Sequence, residues 1–260
     1  MKALGNQIAK QIDFAAKLFR SAKYPLALTG AGISTPSGIP DFRSEGTGLW
    51  AEEEAMEVAS LSTFRYSPAR FYDWFRPLAN QIMAAKPNPA HTALATLQEH
   101  GFLNAIITQN VDLLHHKAGS THIIETHGTL RTLSCTQCFR QFDSPPFLAP
   151  YIKEGILPHC PSCNAILKPD VILFGEQLPQ KAWLQAEKAA RQADLMIIIG
   201  SSLEVLPVAR LPMHTLDRGG HLIIVNQTPT YLNIRADIVF TQNAATLLPM
   251  LVQEVLTDGS

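Results

Sequence analysis

All four cysteines fall in one stretch, as Cys135-Thr-Gln-Cys138 and Cys160-Pro-Ser-Cys163, with 21 residues between the pairs. A C-x2-C turn aims two thiolates at one point, and two such turns supply the tetrahedral sulfur set that suits zinc. A redox C-x-x-C accounts for one pair but not for two at ribbon-like separation. Four thiolates leave no open position for water. Cys135, Cys138, Cys160 and Cys163 therefore point to a structural metal that holds a module with few apolar residues of its own.

A second group of candidates sits at the ends of short apolar runs. Tyr24–Thr29 runs into Gly30-Ala31-Gly32, where backbone without side chains can approach a pyrophosphate. The third glycine of a dinucleotide fingerprint is missing, because Thr35 stands there. Leu103–Thr108 runs into Gln109, Asn110 and Asp112, two amides and a carboxylate able to hold a ribose or a carboxamide. Alone, Asn110 and Asp112 read as helix caps. Glu125-Thr-His127-Gly128 places a histidine, with an ordinary pKa of about 6.5, where a general base is useful. A lone histidine is more often structural. Leu195–Ile199 ends in Gly200-Ser201-Ser202, and His221–Val225 ends in Asn226. Each is an ordinary turn by itself; together they describe one site spread across several strand ends. His115-His116 do not share a helical face and read as helix surface rather than as metal ligands.

The elements that must position these residues alternate. Helical stretches lie before Gly101, from Lys181, and between Glu204 and Gly219. Fully apolar strands alternating with helices imply an α/β fold, a Rossmann-like parallel sheet with helices on both faces. An amphipathic helix opens the chain with Ile8, Ile12, Ala15 and Phe19 at helical spacing. Pro249 implies a last helix that starts near Leu248 or is kinked there. Two stretches break the alternation: one from about Pro40 to Pro87 reads mostly helical, and one from Arg131 to Pro169 reads irregular. The expected division is 1–39, 88–130 and 170–260 for a Rossmann-like domain. Residues 40–87 form a helical insertion and 131–169 a zinc-binding module.

With 260 residues, 46% of them hydrophobic, the chain can bury one large domain and a small second one. A net charge of −1 gives no field to recruit nucleic acid. No apolar run approaches the roughly 18 residues of a membrane span, and the N-terminus lacks a signal-peptide pattern. A cytoplasmic protein without membrane or direct nucleic-acid partners is expected.

GAGIS followed by SGIPDFRS, TQNVDLLH, HG, the two C-x2-C pairs, FGE and GSSLEV, in this order from about Tyr24 to Ala244, resemble the sirtuin family of NAD-dependent protein lysine deacylases. The resemblance implies that NAD is consumed rather than used for hydride transfer. It implies a cofactor-binding set of Gly30, Ala31, Gly32, Pro40, Asp41, Phe42 and Arg43, with Phe42 near the glycosidic bond and Trp50 packed over the cofactor. Asn110 and Asp112 would hold the nicotinamide ribose and carboxamide, with Gln109 on the ribose. Gly200, Ser201, Ser202, Asn226 and Ala244 would line the adenosine and phosphate side. His127 would be the general base for transfer of the acyl group to the ribose, releasing nicotinamide, free lysine and O-acyl-ADP-ribose. Acyl-lysine proteins or peptides would pair as a strand between Val171-Ile172-Leu173-Phe174-Gly175-Glu176 and Ser202-Leu203-Glu204-Val205.

The desuccinylase branch of that family carries Tyr-x-x-Arg in the insertion. Here Tyr72 is followed by Phe75 at the Arg position, and Arg76 points about 100° away on a helix. Neutral acyl groups are therefore expected: acetyl, with longer aliphatic chains possible. Mono-ADP-ribosyl transfer and a non-catalytic NAD or ADP-ribose sensor use the same fold; His127, Asn110 and Asp112 together favour deacylation. A zinc-ribbon nucleic-acid module lacks its basic cluster, and a dehydrogenase lacks its glycine fingerprint and ribose-binding acid.

Overall fold

The computed structural model describes residues 2–41 and 53–257. Six parallel strands form the main sheet: β1 (Pro25–Thr29), β2 (Ala105–Thr108), β3 (Ile123–Glu125), β7 (Leu195–Ile199), β8 (His221–Val225) and β9 (Ile238–Phe240), in the order β3-β2-β1-β7-β8-β9. Their apolar runs follow from burial on both faces. Ala27, Ile106, Ile197 and Ile223 point to one side, where α1 (Lys2–Ser21), α5 (Pro89–Glu99) and α10 (Ala244–Leu256) cover them. Leu26, Leu28, Ile107, Ile198 and Ile224 point to the other, beneath α8 (Gln180–Gln192) and α9 (Leu211–Leu216). The order reverses between β1 and β7. Because all six strands are parallel, their carboxyl ends share one edge, and the crevice of such a sheet opens at that reversal.

The last helix does not start near Leu248, the first of the two alternatives the sequence left open. It begins at Ala244, where the Asn243 side chain accepts a hydrogen bond from the Ala245 N–H, and it runs through Pro249. A proline inside a helix costs about 3 kcal/mol. Leu247, Leu248, Leu251, Val252 and Val255 are all buried on this helix, each gaining roughly 1.5–3 kcal/mol, so packing wins.

The stretch 131–169 is also more regular than its prolines suggest. A three-stranded antiparallel sheet of order β5-β4-β6 contains β4 (Gly128–Cys135), β5 (Gln141–Asp143) and β6 (Leu167–Val171), and α7 (Pro145–Glu154) packs beside it. Pro145 occupies the first helical turn, where its missing N–H is no loss, and Pro169 lies on an edge strand. Before this sheet in the chain come α2 (Glu53–Val58), α3 (Leu61–Tyr66) and α4 (Pro68–Ala84). Phe64, Phe71, Tyr72 and Phe75 of α3 and α4 join Tyr151 of α7 in one aromatic core. Tyr72 donates to the Leu167 carbonyl at 2.5 Å, and the Tyr151 hydroxyl donates to the Tyr72 carbonyl.

Candidate active site at the strand ends

The β1 and β7 turns interlock. Gly30 N–H donates to the Ile199 carbonyl at 3.0 Å, and Gly32 N–H donates to the Gly200 carbonyl at 2.9 Å. A Cβ on Gly200 would lie 2.3 Å from the Ile33 nitrogen, and its φ of +60° already suits glycine. The Gly-x-Gly pattern thus serves backbone packing between two strand ends, on which the Gly30 and Gly32 N–H groups are spent.

From β2, Asn110 donates through Nδ2 to the Gly30 carbonyl and to Ser34 Oγ, both at 3.1 Å. Its Oδ1 is buried and has no donor. Asp112 accepts from Ser34 Oγ at 2.7 Å and from the Leu114 N–H at 2.8 Å. Burial raises the Asp112 pKa, opposed by these two hydrogen bonds and by the Lys117 charge. Gln109 donates to Ser201 Oγ at 2.9 Å, tying the β2 end to the β7 end.

His127 follows β3, and Gly128 behind it has φ +77°, with Asp170 O only 2.0 Å from where a Cβ would stand. The close approach of β6 explains the His-Gly pair. His127 Nδ1 lies 3.1 Å from the Gln109 carbonyl. A carbonyl only accepts, so the proton sits on Nδ1 and Nε2 is the basic nitrogen. Burial lowers the His127 pKa, against the raising effect of that hydrogen bond, which keeps the ring neutral near pH 7.

These groups share one cavity of about 790 Å³. It is lined by Gly30, Ala31, Gly32, Asp41, Gln109, Asn110, Asp112, His127, Gly200, Ser201, Ser202, Asn226 and Ala244, and by Val171 to Glu176, Glu204 and Val205. Pro40 is described but does not line it, and Leu203 turns its side chain into the main core instead. Phe42, Arg43 and Trp50 lie outside the described residues. Phe174 has both backbone groups committed, its N–H to the Ala59 carbonyl and its carbonyl to the Leu61 N–H, so the six-residue segment is not a continuous free edge.

Sequence reasoning missed part of this site. Ile39, Phe71, Trp74, Phe75, Leu78, Ile82 and Val111 form an apolar wall of the same cavity. The α4 members recur at helical spacing, a signal indistinguishable from ordinary core. Ser34 was visible only as part of the glycine turn. His91 on α5 stands 3.3 Å from Ser34 Oγ, and burial lowers its pKa to about 4. His115, expected at a helix surface, is instead buried on α6 (Leu114–Lys117). It bonds Thr29 Oγ1 at 3.0 Å and packs 5.0 Å from the His91 ring. Burial first, then the His91 and His116 charges, lowers its pKa to about 3.

The cysteines converge at the end of β4 and the adjoining turn. Cys135 Sγ is 3.4 Å from Cys163 Sγ, and Cys138 Sγ is 3.7 Å from Cys160 Sγ; all four sulfurs lie within 4.8 Å of one another. These spacings are far too long for disulfides. They match the edge of about 3.8 Å of a sulfur tetrahedron around zinc at about 2.3 Å.

Comparison with known proteins bears on this geometry. The model of the Sir2 family matches residues 30–207. The NAD-dependent protein deacylase 2 of Archaeoglobus fulgidus is 40% identical over 246 residues, 94% of this chain and 96% of that one. A solved Sir2 variant with a deacetylated peptide and 3′-O-acetyl-ADP-ribose superposes with a TM-score of 0.85 at 36% identity, covering 92% of this chain and 96% of that one. A Sir2 protein bound to a propionylated peptide gives 0.81 at 36% identity, covering 92% and 95%.

Proposed function

The chain belongs to the Sir2 family, and on that premise we propose that it is an NAD-dependent protein lysine deacylase releasing nicotinamide and O-acyl-ADP-ribose. One observation carries this reading: His127, neutral with Nε2 as its base, lies in the same cavity as the glycine cradle and both peptide-facing segments.

The residues present fit NAD. The buried Asn110 Oδ1 lacks a donor that a ribose hydroxyl or carboxamide supplies, and the Gly30, Gly32 and Gly200 turns line the cavity beside it with no side chain in the way. When bound, NAD supplies an electrophilic ribose carbon and a leaving nicotinamide. Asn110, Asp112 and Ser34 would hold the nicotinamide ribose and carboxamide in one hydrogen-bonded set, Gln109 would face the ribose, and Ser201 would line the adenosine and phosphate side. His127 Nε2 takes a hydroxyl proton so that the acyl group can transfer. The apolar wall excludes water from the reacting atoms. Phe42, Arg43 and Trp50 are proposed cofactor contacts on the family pattern. The four cysteines hold zinc as a structural ion.

Acyl-lysine peptides are the substrates, with neutral acyl groups preferred. No lysine or arginine is found among the described residues lining the cavity, whose charged members Asp41, Asp112, Glu176 and Glu204 are acidic. Arg76 is spent on the end of α7, donating to the Ile152 and Lys153 carbonyls at 3.0 and 3.1 Å. A cytoplasmic setting belongs to the same proposal, because thiols stay reduced and free for metal there. So does the division into 1–39, 88–130 and 170–260 against 40–87 and 131–169. Separate core clusters support it, with Leu114, Leu130, Val171 and Leu173 at the junction.

The test is mass spectrometry of acetyl-lysine and succinyl-lysine peptides with and without NAD. Deacetylation with nicotinamide and O-acetyl-ADP-ribose formed in step is the expected result. NAD consumption without deacetylation, or efficient desuccinylation, overturns the reaction or the acyl preference respectively.

A further inference from the structure

Lys168 lies on β6 and does not line the cavity, yet its ammonium reaches the segment that does. It is 3.0 Å from Glu176 Oε2, and it donates to the Val171 carbonyl at 2.8 Å and to the Pro169 carbonyl at 3.1 Å. An ammonium has three protons and no acceptor, so these contacts use all of them. The two side chains are only 14% and 20% exposed. This is not the loose surface pair whose worth is near zero; removing one partner leaves the other charge poorly solvated.

Glu176 has a second task. The same Oε2 accepts from the Leu173 N–H at 2.8 Å, while the Glu176 N–H donates to the Leu173 carbonyl at 3.0 Å. Leu173 to Glu176 is thereby closed into a turn, with Gly175 at φ +83°. On the upstream side the Ile172 N–H is held by the His127 carbonyl, and Phe174 is held by Ala59 and Leu61. The Glu176 carboxylate completes the turn, and Lys168 is what keeps that carboxylate from swinging out to water.

We propose that Lys168 is a positioning residue for the acyl-lysine peptide, holding Glu176 against the Leu173 N–H and so presetting the Leu173–Glu176 turn that the peptide meets. The inference rests on the deacylase reading of the cavity. A preset edge spares the complex the entropy of ordering that edge on binding. Loss of the ammonium therefore weakens peptide binding, while the NAD cradle, built on β1, β2 and β7, is untouched.

The experiment compares Lys168→Met, Lys168→Arg and Glu176→Gln with the unaltered protein. It measures steady-state deacetylation of one acetyl-lysine peptide, anisotropy of the same labelled peptide without NAD, and thermal melting. Lys168→Met is expected to raise peptide KM and Kd about ten-fold while KM for NAD stays within about two-fold. Lys168→Arg restores most of the loss, because a guanidinium can reach the same oxygens. Glu176→Gln falls between, keeping an acceptor for the Leu173 N–H but no charge for Lys168. Unchanged peptide Kd in Lys168→Met overturns the proposal, and so does a rise in both KM values with a lowered melting point and no rescue by arginine. If the unaltered protein shows no NAD-dependent turnover, the deacylase reading fails instead, and the anisotropy comparison still decides the role of Lys168.

Discussion

The two sheets of this molecule are stabilised in different ways. The six-stranded sheet is buried on both faces by aliphatic side chains, many interchangeable in kind, so its stability is spread over dozens of residues. The three-stranded sheet and its helices depend on named atoms: four sulfurs within 4.8 Å, two tyrosine hydroxyls aimed at single carbonyls, and one shielded lysine–glutamate pair. A large layer can lose a methyl group and hold. The small module has an apolar core of its own, but a smaller one than the main sheet has on its two faces, so it leans more on such single contacts. His127, the proposed general base, sits at their meeting, between β3 of one sheet and β4 of the other.

Four experiments break or sharpen that contrast. The largest effect belongs to the junction: His127→Tyr lowers deacylation by about 10²–10⁴-fold, the usual worth of a general base. Its melting curve stays near that of the unaltered protein, and retained turnover removes His127 from the mechanism. Next, Cys135→Ser reduces zinc content to background. Metal binding in zinc-finger peptides is worth about 10–16 kcal/mol, so part of such a sum is lost here. Calorimetry should then show the small module melting ahead of the large sheet; a single unshifted transition with full activity contradicts the contrast.

The third concerns the buried histidines near the β1 and β2 ends. Folding lowers the pKa of His91 to about 4 and of His115 to about 3, from an ordinary 6.5. Below pH 6.5 the unfolded chain therefore binds more protons than the folded one, and stability is lost as pH falls from about 6.5 toward these folded values. Urea midpoints measured across that range should decline with acid, and His115→Gln should flatten the decline. The smallest effects come from matched conservative changes. Tyr72→Phe strands the buried Leu167 carbonyl and should cost about 1–3 kcal/mol. Ile198→Val in the large sheet should cost about 0.5–1.5 kcal/mol. Equal costs, measured by denaturant unfolding, would erase the distinction.

The same difference governs what can be read from sequence. Apolar runs such as Leu195–Ile199 announce buried parallel strands because burial on both faces demands them. The cysteine spacing announces its own geometry because ligand chemistry is local. The small sheet was hidden, since Pro145, Pro158, Pro161 and Pro169 look like breakers until one knows which sit at a helix start or on an edge strand. The place of His115 was hidden too, because adjacency in sequence says nothing of a four-residue helix turned inward. The apolar wall on α4 carried the pattern of any core helix. Its role emerges only when the cavity beside it is seen to continue from His127.

The pairing of Phe174 with Ala59 and Leu61 is made wholly of backbone atoms. No side chain takes part in these two bonds, so substitutions that respect the burial of Ala59 and the capping role of Ser60 leave the tie intact. Only a proline at Leu61 or Phe174, which removes a donor, or a change in chain length severs it. In descendants of this sequence, the distance from α2 to the Leu173–Glu176 turn is thus guarded against insertion and deletion far more strictly than against a change of letter.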